Sequence, residues 1–300
     1  MTESTGQPTQ PNRRRRLAPV AASAAVVLAL SAAGVAVAPT GGTSLPSHAE
    51  PASPTPPTEA AGPLIAMADL LVSAPADATT GRYHYTQIEQ WSRGDDQIIG
   101  FLIETWRTND GATTKSEKRV PGQPARSFDM AQIGVRQVFD AITPVSSSLS
   151  AGEVESFVER HGPPSGNPVV LASAISSDNG GPLLATECPP ACDVTLRPIV
   201  FFDAITSLYR ETYLDRAARA ALLRLLAVQP GVAFLGEVTD RGGRKAVEVA
   251  VAEGGGRFCL LFDRDTGVLL ASERSVPGYV LDDYSLYHLL ERRDLSPAST

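Results

Sequence analysis

Catalytic signatures are missing from this 300-residue chain. It has no Gly-x-Ser-x-Gly elbow, no His-Glu-x-x-His, no Ser-x-x-Lys and no phosphate-cradling glycine loop. Its four histidines, His48, His84, His161 and His288, are scattered, with no acidic or nucleophilic partner at a telling spacing. Enzymes do assemble sites from distant residues, but these absences set the expectation at a non-enzyme with no cofactor and no metal. Cysteine is scarce as well: there are three, and none precedes Cys188, which excludes a lipid-modified cysteine near the N-terminus.

Excess positive charge is also lacking. The chain has 26 basic and 33 acidic residues, a formal net charge of −7. Residues 1–38 hold four arginines against Glu3, so 22 basic and 32 acidic residues remain beyond them. That balance excludes nucleic acid as the main partner. Lysine is confined to Lys115, Lys118 and Lys245; with the abundant alanine this skew reflects genome composition and carries no chemistry. What is left is a globular composition, 43% hydrophobic and 20% charged, with enough chain for a real core and no internal repeat.

The N-terminus fixes the expected compartment. Arg13-Arg14-Arg15-Arg16 precedes Leu17 to Ala38, 22 residues without a charge. As a helix that segment is about 33 Å long, enough to cross a hydrocarbon core of about 30 Å. No Lys or Arg follows until Arg82, so the tail stays in the cytoplasm and the remainder is exported. Two readings compete, an uncleaved signal-anchor and a removable signal peptide. Ala36-Val37-Ala38 has the shape signal peptidase wants, but Pro39 then follows the cut; Ser31-Ala32-Ala33 is an earlier candidate and Ser47-His48-Ala49 lies far past the apolar run. The length of that run favours the anchor. The expected layout is therefore a tail at 1–16, a transmembrane helix at 17–38, a stalk at 39–62 and an exported domain at 63–300. The stalk holds six prolines in 24 residues and reads as extended.

The exported part reads as strands, then helices, then strands. Leu64, Met67, Ala68 and Leu71 repeat on one helical face before Pro75. From Tyr83 the period becomes two, and turns at 93–96 and 109–111 make a three-stranded antiparallel meander reaching Val120. The middle reads as helical. Ser150-Ala151-Gly152-Glu153 has the form of a capping box ahead of Val154, Phe157 and Val158, and His161-Gly162-Pro163 ends that helix. One short apolar run, Val169 to Ile175, follows. Two amphipathic segments carry Phe201, Ile205, Leu208 and Thr212, then Leu214, Ala218, Ala221, Leu222 and Leu225, and Pro230-Gly231 closes them. Strands then return over 232–239, 245–252, 257–263 and 268–275, joined by glycine-bearing turns. The segment 279–290 reads as a long strand or a short helix, and the strand is favoured because its hairpin partner is otherwise an open edge. The fold class expected is α+β: one curved antiparallel, half-barrel-like sheet with helices on one face, after a single N-terminal transmembrane helix.

Few residues stand out as a site. Cys188 and Cys192 flank Pro-Pro-Ala; in an exported domain they read as a disulfide, provided the segment turns, with two free thiols as the other reading. No further ligand lies near them for a metal. Cys259, between Phe258 and Leu260, reads as a buried thiol. Asp263-Arg264-Asp265-Thr266-Gly267 resembles the start of a calcium loop but lacks the later acidic ligands, so a hairpin turn is the better account. Arg216, Arg219 and Arg224 form a stripe that reads as a solvated face rather than a phosphate site. Tyr83, Tyr85, Trp91 and Trp106 either line a ligand-contacting groove or pack into the sheet core.

Several stretches carry a resemblance: Leu225 to Val232, Thr239 to Arg244, Leu260 to Asp263 with Thr266 to Leu270, Tyr83-His84-Tyr85, and the Trp106 to Gly111 turn. Together they resemble an uncharacterised family of actinobacterial membrane-anchored proteins. It implies an arginine-flanked transmembrane helix, a proline-rich stalk and an exported domain, often encoded beside an extracytoplasmic-function sigma factor. It covers 63–120 and about 200–275, and leaves 121–198 with its cysteine pair outside. At fold level alone the element order is similar to the half-barrel of lipoprotein carriers and of periplasmic regulators of anti-sigma factors, which implies an apolar groove able to hold an acyl chain.

The expectation is a single-pass membrane protein whose exported domain senses or binds a lipid-like molecule or another envelope protein. The alternative is a cleaved, secreted carrier of lipid or lipoprotein. An enzyme acting on envelope polymers ranks third and predicts clustered carboxylates or a histidine pair.

Overall fold

The computed structural model describes residues 61–77, 80–150, 155–179, 197–277 and 281–294. The segment read as transmembrane, the stalk as far as residue 60, and Cys188 with Cys192 lie outside the described residues, while Ala61 and Gly62 of the expected stalk belong to the first helix. No helix among the described residues is long and apolar enough to cross a membrane.

Helix α1 (Ala61–Ser73) buries Leu64, Met67, Ala68 and Leu71, the four residues its helical spacing singles out. The meander follows as β1 (Tyr83–Gly94), β2 (Gln97–Thr108) and β3 (Thr113–Pro124). A fourth strand, β4 (Val145–Leu149), pairs antiparallel with β3. It corrects the helical reading of this region. The sequence Val-Ser-Ser-Ser-Leu shows no alternation because all five residues are exposed at the sheet edge.

Helix α2 (Phe157–His161) starts later than expected. Its capping box is Ser156 with Glu159: the serine accepts from Glu159 N at 3.2 Å and the glutamate accepts from Ser156 N at 2.7 Å. Residues 151–154, which carry part of the Ser150 box, lie outside the described residues. Gly162 ends α2 at φ 75, as the His-Gly-Pro run implies. The apolar run at 169–175 belongs to α3 (Pro168–Asn179). Pro198 opens α4 (Pro198–Glu211), and Asp215 caps α5 (Arg216–Val228) by accepting from Ala218 N at 2.8 Å.

The second meander is β5 (Val232–Thr239), β6 (Lys245–Glu253), β7 (Gly256–Phe262) and β8 (Leu269–Ser275). The last segment is a strand, β9 (Asp283–Arg293), lying between β1 and β8. It joins the two meanders into one nine-stranded antiparallel sheet, β4-β3-β2-β1-β9-β8-β7-β6-β5. The chain is thus α+β, with an open curved sheet.

Side chains alternate across that sheet. On one face Ile88, Val247, Val249, Val251, Phe258, Leu260, Phe262 and Tyr287 pack under the five helices. On the other, Trp91, Leu102, Ala250, Leu261 and Leu286 are covered by residues 125–142, three single 3-10 turns that bring in Phe128, Ile133 and Phe139. Helices do occupy a single face, but the opposite face is covered too. Cys259 lies in this second cluster, 6% exposed, and burial pushes its thiol far above the usual range.

Trp91 is fully buried opposite Gly100 on β2, where a Cβ on Gly100 would stand 2.6 Å from the indole. Gly100→Ala must therefore displace the ring or bend β2. The expected cost is about 1–3 kcal/mol, read as a lower urea midpoint at unchanged slope. An unchanged midpoint would show that the indole has room to move.

Candidate binding face and the charges around it

The helices are unevenly spread over their face. Among the described residues they cover β5 to β9 and Ile88 of β1, while β2, β3 and β4 add no residue to the helix-side core. Register places the uncovered rows. Ile88 faces Ile103, Thr86 faces Thr105 and His84 faces Arg107; Ile103 then faces Glu117, and Glu117 faces Val145. Ile99, Phe101 and Ile103 are half-buried on this face, whereas Val145 and Leu149 are 73% and 45% exposed. Among the described residues, the helix side of β2, β3 and β4 is thus an open, partly apolar floor.

A cavity of about 360 Å³ lies where this floor meets α4. Ile88, Ile103 and Leu149 form its apolar part, and Thr86, Thr105, Thr113 and Ser147 supply hydroxyls. Arg107, Lys115 and Arg210 also line it, and no Asp or Glu does. Arg107 donates Nε to Thr113 Oγ1 at 3.1 Å, and Arg210 donates Nη2 to Ser285 Oγ at 2.7 Å. Lys115 pairs with Glu117 at 2.6 Å.

Two neighbouring cavities differ in charge. One of about 320 Å³ lies on the other side of Arg210, and its charges pair internally: Arg274 with Asp203 at 2.9 Å and Arg93 with Asp282 at 2.8 Å. The other, about 440 Å³ between α2, α3 and α4, contains Asp178, which takes Arg160 at 2.8 Å and His161 at 2.7 Å. Burial disfavours the Asp178 charge, but the bonds from Arg160 and His161 hold its carboxyl below the usual range.

His84 sits at the junction of β1 and α4, 4% exposed, with Nε2 3.3 Å from Tyr209 O. Burial pushes its imidazole from 6.5 down to about 3; the Tyr209 carbonyl opposes the fall, and Arg107 and Arg292 deepen it. Below 6.5 the unfolded chain takes up a proton that the folded chain refuses. Its contribution is therefore complete above that value and is lost progressively as pH falls toward 3. Between pH 7.5 and 5 the expected loss is about 2 kcal/mol. His84→Gln should flatten that limb of the stability curve, measured by urea unfolding at each pH. An equal slope in both proteins would contradict this reading.

The aromatic candidates lie on the face opposite the cavity. Tyr85 and Trp106 stack with centroids 5.0 Å apart, and Tyr85 donates its hydroxyl to Glu104 at 2.8 Å. Trp91 packs between Phe128 and Phe139, and Tyr83 is half-buried beside the Arg82 guanidinium, 5.7 Å from its ring. Of the arginine stripe, Arg219 is not on a solvated face: it is 3% exposed and donates to Leu214 O, Thr266 O and Asp77. The Asp263 turn is a hairpin, with Asp263 Oδ1 accepting from Thr266 N at 2.8 Å and Thr266 Oγ1 at 2.7 Å.

No sequence signal marks Glu89 with His288, 3.1 Å apart and 199 residues distant in sequence. His288 is the extra residue where the β1–β9 register shifts, since Gln87 pairs with Leu289 and Ile88 with Tyr287. Glu89 is fully buried and also accepts from Trp91 Nε1 at 2.7 Å and Gly134 N at 2.8 Å. The cluster fastens residues 125–142 to the sheet. Among the described residues no group of three His, Cys, Asp or Glu is placed to hold a metal.

No protein-family model matches this chain, and no curated protein matches it. Solved structures do. The chain is similar to MucB. To MucB in complex with MucA(peri) the identity is 15%, over 79% of this chain and 56% of that one, with a TM-score of 0.31. To MucB in the Pseudomonas aeruginosa MucA/MucB complex it is 16%, over 81% and 60%, with a TM-score of 0.31. For MucB alone the values are 15%, 78%, 60% and 0.30. The chain thus spans 56–60% of the length of these proteins, and superposition at this level carries no argument about function.

Proposed function

We propose that this chain is a membrane-anchored extracytoplasmic binding or sensing protein, not an enzyme, whose exported domain takes a lipid-like ligand on the open floor of β2, β3 and β4. One observation carries the reading: among the described residues the helices leave that floor uncovered, and it presents Ile99, Phe101, Ile103, Val145 and Leu149 beside a cavity of about 360 Å³. The arginine block, the apolar run at 17–38 and the stalk support the anchored topology, tail inside and domain outside.

Native mass spectrometry of the full chain, purified in nanodiscs from a membrane-bearing host, tests the proposal. The expected result is a discrete adduct of lipid size, lost on denaturation, on a protein that retains residues 1–38. A bare mass would overturn the binding reading; an adduct on a chain cut after Ala33 or Ala38 would instead make it a secreted carrier. One observation favours a second reading, an envelope protein as partner. Among the described residues strand β4 is an uncharged edge exposed along its whole length, which suits addition of an extended segment.

A further inference from the structure

Resting on that binding reading, we infer that the cavity between the open floor and α4 recognises the head of an anionic amphiphile, a carboxylate or phosphate on an apolar chain, with Arg107 and Arg210 as the head-group ligands. The argument is one of unmet charge. Among the described residues neither arginine forms an ion pair, and the bonds found for each go to a hydroxyl. Both are half-buried, where a cation without an ion-pair partner is costly. For Arg210 that cost is offset by Tyr287, then by Asp283 and Asp203, which hold its guanidinium above the ordinary value against burial, so the unmet charge is chiefly that of Arg107.

The nearby carboxylates are engaged elsewhere or stand off. Asp203 pairs with Arg274, Asp283 accepts from Gln90 and Ser92, and Glu117 holds Lys115. Glu211 acts on Arg107 only from beyond ion-pair distance. Burial pushes the Arg107 guanidinium below its ordinary value, with the Glu211 charge opposing that shift. A lining with three cations and no acid is a departure for a chain whose net charge is −7. Ile88, Ile103 and Leu149 line the same cavity, so the chain attached to the head has apolar surface to follow toward Val145. Hydroxyls of Thr86 and Thr105 complete the head site as neutral donors, whereas Thr113 already donates to Gly111 O at 2.9 Å.

The test uses the full chain in phosphatidylcholine nanodiscs, whose surface has no net charge, titrated with [1-13C]decanoate and observed by carbon NMR. Uncharged monodecanoylglycerol reports the tail alone; acetate and inorganic phosphate report the head alone. The expected result is decanoate bound about tenfold more tightly than monodecanoylglycerol, with that preference lost in R107Q/R210Q. Monodecanoylglycerol binding, which needs no charge, shows that the variant is folded. Arg107→Lys with Arg210→Lys keeps the charge and should keep the preference. Equal binding of the two amphiphiles, or a preference that survives R107Q/R210Q, overturns the inference and leaves the binding reading standing. Acetate or phosphate binding as tightly as decanoate also overturns it, as an ion site without a tail. If neither amphiphile binds, both readings fall.

Discussion

Glu89→Ala is expected to lower stability by about 3–5 kcal/mol, a large share of the roughly 5–15 kcal/mol that holds a typical domain together. The carboxylate is fully buried and is the common acceptor of three donors, Trp91 Nε1, Gly134 N and His288 Nε2. Its removal orphans an indole N–H and a backbone N–H in the apolar cluster under residues 125–142, and opens a void beside Trp91. Glu89→Gln keeps an acceptor and most of the volume, so its cost should be clearly smaller. Thermal unfolding followed by tryptophan fluorescence reads both, with a Tm fall of about 10 °C expected for the alanine variant. A fall within 2 °C of wild type would mean that the cluster is not built around Glu89.

Arg219→Ala should cost about as much, for a different reason. The guanidinium is buried and ties three places together: Leu214 O ahead of α5 at 2.6 Å, Thr266 O in the β7–β8 turn at 2.7 Å, and Asp77 after α1 at 2.9 and 3.0 Å. Burial works against the Asp77 charge, yet the bond from Tyr213 and the Arg219 and Arg216 guanidiniums hold its carboxyl below the usual range. Without Arg219 that carboxylate keeps Tyr213 and Arg216 but loses its closest cation, and two carbonyls lose their donor. Arg224→Ala is the matched control. Its partner Asp69 is 63% exposed, so the pair should contribute under about 1 kcal/mol. Urea unfolding of the two variants should separate them by at least about 2 kcal/mol. Similar midpoints would return Arg219 to the solvated face.

That contrast marks what sequence patterns can and cannot carry. Arg216, Arg219 and Arg224 look alike in sequence; the turn at Thr266 and the segment at Asp77, both distant in the chain, decide which of them is buried. Local signals did locate the helices and hairpins: the 64, 67, 68, 71 spacing, the period of two from Tyr83, and the turns around Gly111, Gly243 and Gly267. The last strand was legible because an unpaired hairpin edge demands a neighbour. Strand β4 was not, since an edge exposed on both sides has no pattern to show. The Ser156 and Glu159 box that opens α2 lies six residues beyond the Ser150 register, and the same Ser-x-x-Glu pattern marks both.

The candidate site was less legible than the fold. Alternation divides β1 into Tyr83, Tyr85, Gln87, Glu89, Trp91 and His84, Thr86, Ile88, Gln90, but does not say which set faces the helices. The helices lie over the second set, and the aromatic set lies under residues 125–142 or along the opposite face. Arg107 and Arg210 come together across 103 residues from a strand and a helix end, a juxtaposition that no short motif records.

The most direct test of the binding account is positional. Native mass spectra of the full chain should be compared for wild type, Ile103→Asp on the open floor and Leu235→Asp on β5, where Leu235 is 44% exposed at the far edge of the sheet. The account predicts an adduct that is lost from Ile103→Asp and kept by Leu235→Asp, with all three proteins folded. An adduct retained by Ile103→Asp would contradict it.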